Sequence, residues 1–280
     1  MSYLKSSWRS DSFPERKSKR KRTFGRHFSL AGRSNTEQAF HDDQASSRSA
    51  TFELHPDQLG FADAAYLDHE TWIRPAFERL GDVSGLRVLD FGCGHAMAAV
   101  VLARRGARVT AFDLSGRYLT EARRRADANR VAIDFVQADG SRLPFADHSF
   151  DRIWGNAILH HLDLGVVAPQ LWRILRPGGI AVFCEPWGDN PLLRWVRRRL
   201  PYAAKGRTPD EEPLRWRDLR RLAETFPHAE ARGFQFLSMA RRVLAPGRLV
   251  RWLERSDDLL LARAPALQRL CRYVVITLTA

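Results

Sequence analysis

The sequence predicts an α/β fold in which a doubly wound, mostly parallel sheet of seven strands is flanked by helices. Three observations support this prediction. Short apolar segments typical of buried strands alternate with longer segments of helical composition over residues 86–185. The first three of these strands end in an aspartate, and closely spaced glycines follow the first. Strands that alternate with helices require right-handed crossover connections, which produce a parallel sheet.

The first strand and its glycine turn are the segment around which the chain is organised. Residues 86–91 are almost continuously apolar, the pattern of a strand buried on both faces of a parallel sheet. Gly92 and Gly94 end the strand, because glycine adopts positive φ and lets a ligand approach the backbone. Residues 97–105, rich in alanine, valine and arginine, are predicted to form a helix. The turn therefore leaves backbone N–H groups at a helix N-terminus, where they suit an anionic group.

The neighbouring segments are predicted from the same patterns. Apolar residues recur at helical spacing over 63–80, so one or two helices precede the first strand, although a proline within the segment must kink or restart them. A second strand is expected over 107–114. Ser115 then suits the N-cap of a helix that continues to about residue 129. The third strand is expected over 131–137.

The C-terminal half supplies the remaining strands. The predicted elements are, in order, a strand over 150–154, a helix over 166–175, a strand over 180–184, helices over 191–200 and 215–226, a strand over 230–239, a helix over 246–261 and a strand over 272–279. The last of these is rich in β-branched residues, which favour strands. Residues 201–213 contain a glycine and three prolines and are predicted to form a loop.

Residues 1–50 are predicted to be a disordered basic tail, and residues 51–280 the folded domain. Residues 1–34 carry ten lysines and arginines and two acidic residues. Their net charge of 10 − 2 = +8 is most of the +13 of the whole chain. A segment so poor in aliphatic side chains cannot bury enough surface to offset the entropy of ordering. The basic run at 16–22 could bind RNA or anionic lipid or act as an address, but a solvated tail without a specific partner is the more frequent explanation.

Cysteine content and hydropathy indicate the cellular location to expect. The three cysteines are Cys93, Cys184 and Cys271. Their odd number and their spacing indicate reduced thiols without a metal site, as in a cytoplasmic protein. No stretch has the length and apolarity of a secretory signal or a membrane span. We therefore expect a cytoplasmic protein without a bound metal or a membrane-spanning segment, while its oligomeric state is not predicted.

Three acidic residues point to a ligand site. Asp90, Asp113 and Asp139 each follow a strand, so all three are expected at the carboxyl edge of the sheet, where open α/β sheets bind their ligands. Asp113 follows Asp90 by 23 residues. This spacing is close to the ~20-residue offset at which an acid pairs with ribose hydroxyls. A single aspartate would more often be a helix cap or a turn residue, but three at successive strand ends favour a nucleoside site.

The glycine turn and the three acids together make the chain resemble the class I S-adenosylmethionine-dependent methyltransferases, whose fold is Rossmann-like. It is most similar to the small-molecule branch that includes the ubiquinone and menaquinone methyltransferases. The segments that carry the resemblance are Val88 to Gly94, Asp113, Asp139 and Gly140, Phe150 to Trp154, Ile158 to Leu162 and Leu175 to Gly179. The resemblance covers residues 60–185 well and the remainder loosely. Ala96 departs from the pattern, because the family usually has a third glycine there.

The resemblance implies that S-adenosyl-L-methionine is the cofactor. The turn from Gly92 to His95 would surround its methionine end, with Asp90 near the amino group. Asp113 would accept hydrogen bonds from both ribose hydroxyls, and Asp139 would bind the adenine amino group. The predicted cofactor-binding residues are Asp90, Gly92, Cys93, Gly94, Asp113, Leu114, Asp139, Gly140 and Asn156.

Methyl transfer is an in-line displacement from a sulfonium, so the protein mainly has to align the acceptor and exclude water. An alcohol or phenol would also have to lose a proton. His160 and His161 are the nearest candidate bases, and Glu185 is a candidate base or substrate anchor. Each has a simpler alternative role, which is packing or loop stabilisation for the histidines and helix capping for the glutamate.

The expected acceptor is a small apolar or aromatic metabolite, methylated at O, N or C, and residues 185–245 lie where this family inserts substrate-binding elements. One alternative is an RNA or protein acceptor that the basic tail would dock; another is a non-catalytic binding or regulatory protein with the same fold. A nicotinamide-dependent oxidoreductase fits less well. Met97 occupies the third glycine position of its fingerprint, and Asp90 would lie close to a pyrophosphate.

Overall fold

The computed structural model describes residues 37–43, 45–46, 59–199, 212–245 and 247–280. Its strands are β1 (Arg87–Phe91), β2 (Arg108–Asp113), β3 (Asp134–Gln137), β4 (Phe150–Asn156), β5 (Leu175–Pro186), β6 (His228–Phe234) and β7 (Tyr273–Thr279). From residue 59 onward, its α-helices are α1 (Asp63–Leu67), α2 (Ile73–Arg79), α3 (Met97–Arg104), α4 (Gly116–Ala128), α5 (Leu164–Ile174), α6 (Pro191–Arg199), α7 (Trp216–Thr225) and α8 (Arg248–Arg263).

The seven strands form one sheet in the order β3-β2-β1-β4-β5-β7-β6. Strands β1 to β5 are parallel to one another, whereas β7 is antiparallel to both β5 and β6. The chain order reverses at β1, which has β2 on one side and β4 on the other. This topology confirms the predicted doubly wound, mostly parallel sheet, and its reversal point is where such sheets bind ligands.

Apolar side chains cover both faces of the sheet. One core contains Phe77 of α2, Leu102 of α3 and Trp154 of β4, and the Phe77 and Trp154 ring centroids are 4.3 Å apart. The other core packs α5 and α7 against the opposite face, with Leu171 and Leu222 fully buried. Because the central strands are covered on both faces, they need continuous apolar sequences rather than alternating ones.

Strand β6 differs from its prediction in that it ends at Phe234 instead of continuing to residue 239. The buried carboxylate of Asp257 accepts hydrogen bonds from the backbone N–H groups of Phe236, Leu237 and Ser238 at 3.0, 2.7 and 3.1 Å. These bonds draw the segment away from the sheet and lead it into a 3₁₀ helix, Ser238–Arg242. An acid from α8, which is distant in sequence, therefore sets the end of the strand.

Residues 37–43 and 45–46 are helical, although sequence alone placed them in the disordered tail. Asp42 hydrogen-bonds to the hydroxyl of Ser115, the N-cap of α4, and Ser46 accepts a hydrogen bond from Arg117. These contacts bring the segment to the carboxyl edge of the sheet. The basic run at 16–22 and most of the predicted loop at 201–213 lie outside the described residues. In the described ranges, no helix is both long and apolar enough to cross a membrane.

Candidate functional site

A cavity lies at the carboxyl ends of β1, β2 and β4, beside the reversal point of the sheet. The predicted site residues on its wall are Gly92, Gly94, Asp113, Leu114, Asp139, Gly140 and His161. Asp90, Cys93, Asn156, His160 and Glu185 are not among its lining residues. Cys93 and Asn156 are only half-buried and lie next to lining residues, so their assignment as cofactor contacts stays a prediction.

The glycine turn after β1 has a geometry that side chains would obstruct. Gly92 has a φ of +70°, and a Cβ atom there would lie 2.7 Å from Cγ1 of Ile158. At Gly94 a Cβ would meet no protein atom within 4 Å, because the residue borders the open cavity. Ala96 also adopts the left-handed region, with a φ of 61°. This explains why glycine is usual at that position, and alanine there costs about 1–2 kcal/mol.

Asp113, at the end of β2, presents a largely buried carboxylate to the cavity. Its Oδ1 accepts a hydrogen bond from Ser115 N at 2.9 Å and its Oδ2 one from Gly94 N at 2.8 Å. Burial raises the pKa of Asp113, while these hydrogen bonds and the nearby His41 partly oppose the rise. Each carboxylate oxygen keeps a further acceptor position. The group is thus held rigidly where a pair of hydroxyls could donate to it.

Asp90, at the end of β1, lies beneath the first turn of α3. Its Oδ2 accepts a hydrogen bond from Ala99 N at 3.0 Å. Burial raises the pKa of Asp90 to about 7; the Ala99 bond lowers it and the negative charge of Asp113 adds to the rise. The structure therefore holds an acid whose ionisation is costly unless a cation comes near, because the charged form is poorly solvated.

The raised pKa of Asp90 predicts how the stability of the ligand-free protein changes with pH. The folded state binds a proton between the ordinary value of 3.8 and about 7, whereas the unfolded chain has already lost it. The free energy of unfolding should therefore fall as pH rises through this window. Asp90→Asn should be more stable than the wild type above pH 7, by on the order of 2–4 kcal/mol, with the gain shrinking toward pH 4.

Urea unfolding of both proteins across this pH range measures the difference. Asp134→Asn, at an exposed aspartate that begins β3, is the matched control and should follow the wild-type curve. Parallel curves for Asp90→Asn and the wild type would contradict the prediction.

Glu185 and His160 form a buried pair that organises the segment after β4. Glu185 Oε1 accepts hydrogen bonds from Ile158 N at 3.0 Å and Leu159 N at 2.8 Å, and its Oε2 lies 2.7 Å from Nδ1 of His160. Glu185 is fully buried and His160 is 8% exposed. Both were expected to be candidate bases, but the structure does not bring either of them to the cavity. Their contacts fix the loop that carries His161 instead.

His161 lines the cavity and meets two residues of the N-terminal helical segment. Its Nδ1 lies 3.2 Å from Glu37 Oε2, and Nε2 of His41 lies 3.5 Å from the same oxygen. One ligand atom from each residue falls within 4.8 Å of the others, so this cluster could also hold a metal ion. Sequence reasoning missed Glu37 and His41. Their spacing of four residues, which places both on one helix face, was the available signal.

Comparisons with known proteins agree with this fold and identify the family of the chain. A family model described as a methyltransferase domain matches residues 89–183. The demethylmenaquinone methyltransferase of Parafrankia sp. (strain EAN1pec) is 34% identical over 216 residues, which are 65% of this chain and 84% of that enzyme. The malonyl-[acyl-carrier protein] O-methyltransferase of Enterobacter lignolyticus is 39% identical over 116 residues, 41% of this chain. The chain thus spans less than half, 45%, of the length of the Enterobacter enzyme.

Solved structures give the same fold. A S-adenosylmethionine dependent methyltransferase from Mesorhizobium loti matches with a TM-score of 0.51 and 22% identity, over 76% of this chain and 100% of that one. The geranyl diphosphate C-methyltransferase from Streptomyces coelicolor A3(2) matches with a TM-score of 0.51 and 19% identity, over 74% and 77% of the two chains. At such identities the likeness shows the fold alone. Together with the family model and the Parafrankia relative, it establishes that the chain belongs to the class I S-adenosylmethionine-dependent methyltransferases.

Proposed function

We propose that the protein transfers a methyl group from S-adenosyl-L-methionine to an O, N or C atom of a small-molecule acceptor. The observation that carries this proposal is a cavity whose wall combines the glycine turn, Asp113 and Asp139. The Parafrankia and Enterobacter relatives, by their names, methylate a quinone and a carrier-bound acyl group. Both favour a metabolite over a nucleic acid as the acceptor.

In this proposal each part of the cofactor is assigned to residues on the cavity wall. The open space over Gly94 would receive the methionine end, and Asp113 would accept hydrogen bonds from the ribose diol. Leu114 and Gly140 would flank the adenine, with Asp139 near its amino group. Asp90 would lie behind the turn, where a cationic amino group would favour its ionised form. When bound, the cofactor would supply a methyl group attached to a sulfonium sulfur. The sulfur leaves as a neutral thioether, which needs no protonation.

In this proposal His161 removes the proton from a hydroxyl acceptor. The Glu37 carboxylate beside Nδ1 favours the tautomer with its proton on that nitrogen, which leaves Nε2 as the proton acceptor. Glu37 is thus a positioning residue. In this proposal His160 and Glu185 hold the loop that carries His161 and play no direct part in proton removal. A cytoplasmic location belongs to this proposal too, because the cysteines are free thiols and such thiols persist in a reducing compartment.

Mass spectrometry of a metabolite extract, incubated with the protein and isotopically labelled S-adenosylmethionine, tests the proposed function. We expect a labelled methyl group on a low-molecular-weight product, and its fragmentation would identify the acceptor atom. The same incubation with Asp113→Ala is the control for turnover by contaminating enzymes. Label found only in RNA or protein would overturn the small-molecule assignment. Cofactor binding without any labelled product would favour the non-catalytic alternative.

A further inference from the structure

The exposed large apolar side chains are concentrated on two helices. Among the described residues, those more than a third exposed are Trp172, Leu192, Trp195, Val243, Leu249, Trp252, Leu259 and Leu260. Two of them lie on α6 and four on α8. Soluble proteins expose single apolar residues routinely, but they rarely expose a tryptophan together with several leucines on one helix.

Helix α8 has opposite faces with distinct roles. Val250 and Asp257, seven residues apart, are buried at 7% and 5% exposure and attach the helix to the domain. Trp252 and Leu259, also seven apart, are 61% and 57% exposed. A spacing of seven keeps two residues on one face of a helix, and a spacing of two places them on opposite faces. The outward face of α8 is therefore apolar along its length.

Arginines flank this apolar face. Arg248, Arg251, Arg255 and Arg263 of α8 are all exposed. The acids of the same helix are engaged elsewhere, since Asp257 caps the segment after β6, and Glu254 and Asp258 pair with arginines outside the helix. The outward surface of α8 is thus both apolar and cationic.

Helix α6 repeats this composition. Leu192 and Trp195 are 63% and 56% exposed, and their spacing of three places them on one face. The guanidinium of Arg199 lies 5.7 Å from the centre of the Trp195 ring. Residues 191–199 contain four arginines and no acid. Both helices therefore combine tryptophan, leucine and arginine on the surface.

The two helices emerge from the sheet edge that contains the cavity. Pro186 at the end of β5 pairs with Tyr273 at the start of β7, so the chain enters α6 and leaves the α8 region at the carboxyl edge of the parallel strands. Asn190, just before α6, donates a hydrogen bond to Leu270 O in the 3₁₀ helix that follows α8. The segments before α6 and after α8 are therefore joined at the same edge of the sheet as the cavity.

We propose that the outward faces of α6 and α8 bind the surface of an anionic membrane. The docking surface consists of Leu192, Trp195, Leu249, Trp252, Leu259 and Leu260, with the exposed arginines beside them. Tryptophan and leucine favour the boundary between headgroups and acyl chains, and each arginine near anionic lipid adds attraction. A second copy fits this surface less well, because a two-fold contact would bring arginines against arginines. The inference concerns binding and stands whether or not the proposed methyl transfer is correct.

Sedimentation with vesicles tests the docking surface in the full chain. Wild-type protein should sediment with vesicles that mix phosphatidylglycerol and phosphatidylcholine, and much less with phosphatidylcholine alone. The double variant Trp252→Ser/Leu259→Ser should bind the mixed vesicles about tenfold less tightly or worse, because two apolar side chains no longer insert. Trp172→Ser, which removes an exposed tryptophan of α5, is the matched control and should bind as the wild type does. Thermal unfolding verifies that each variant is folded.

The basic N-terminal residues could also attract these vesicles, so the comparison is repeated at about 0.5 M salt, where charges are screened beyond a few ångström. The difference between the double variant and Trp172→Ser should persist there, because apolar insertion is not screened. Equal sedimentation of these two variants would overturn the proposal, as would equal binding of the wild type to both kinds of vesicle. A wild-type dimer in analytical ultracentrifugation that the double variant dissociates would also overturn it, since a second copy would then cover the surface.

Discussion

Replacing Asp113 by alanine is expected to weaken binding of S-adenosylmethionine and of S-adenosylhomocysteine by at least about 100-fold, because hydrogen bonds to a charged group contribute about 1.5–3 kcal/mol each. The carboxylate is rigid before any ligand arrives, since Gly94 N and Ser115 N hold its two oxygens. Its orientation therefore costs nothing at the moment of binding. Isothermal titration calorimetry with either ligand measures the loss.

The same variant also removes two hydrogen bonds within the protein, so its folding has to be measured separately. Asp134→Ala, in the neighbouring strand β3, is the matched control and should bind as the wild type does. Asp113→Asn keeps one carbonyl acceptor and should fall between the wild type and Asp113→Ala. Undiminished affinity in a folded Asp113→Ala protein would remove this residue from the proposed cofactor site.

The fold and part of the cavity wall could be predicted because they depend on local signals. Continuous apolar strands, the glycine turn and acids at strand ends are all legible within a few residues, and the topology rules for parallel sheets bring them to one edge. Asp113 and Asp139 thereby reach the same cavity from separate strands. The positions of the two acids at the ends of successive predicted strands were enough for this prediction.

Features that depend on long-range contacts could not be predicted. Nothing near Phe236 indicates that Asp257 will end β6, because the acid arrives from a helix 21 residues away. The sequence alone also does not distinguish the role of His160 from that of His161. The buried Glu185 turns one histidine inward, and Glu37, from a segment that composition alone placed in a disordered tail, meets the other.

Substituting His161 should separate catalysis from cofactor binding. In His161→Asn the side-chain amide can still donate toward Glu37 but cannot accept a proton, so kcat for a hydroxyl acceptor should fall by about 10²- to 10⁴-fold. Cofactor affinity should stay within about a factor of two, because an interaction made only in the transition state is lost. Steady-state kinetics with the acceptor found by labelling, together with calorimetry, measures both quantities. His228→Asn, at an exposed histidine of β6, is the matched control.

Glu37→Gln then tests whether the glutamate acts through His161. Loss of the carboxylate beside Nδ1 should lower kcat by about tenfold at unchanged cofactor affinity, because the imidazole loses the group that orients it. A merely structural role would weaken cofactor binding together with the rate. Activity that EDTA abolishes and added metal restores would instead assign Glu37, His41 and His161 to a metal ion.

Full activity of His161→Asn would show that the acceptor loses its proton without this histidine, as a carbon or amine nucleophile could.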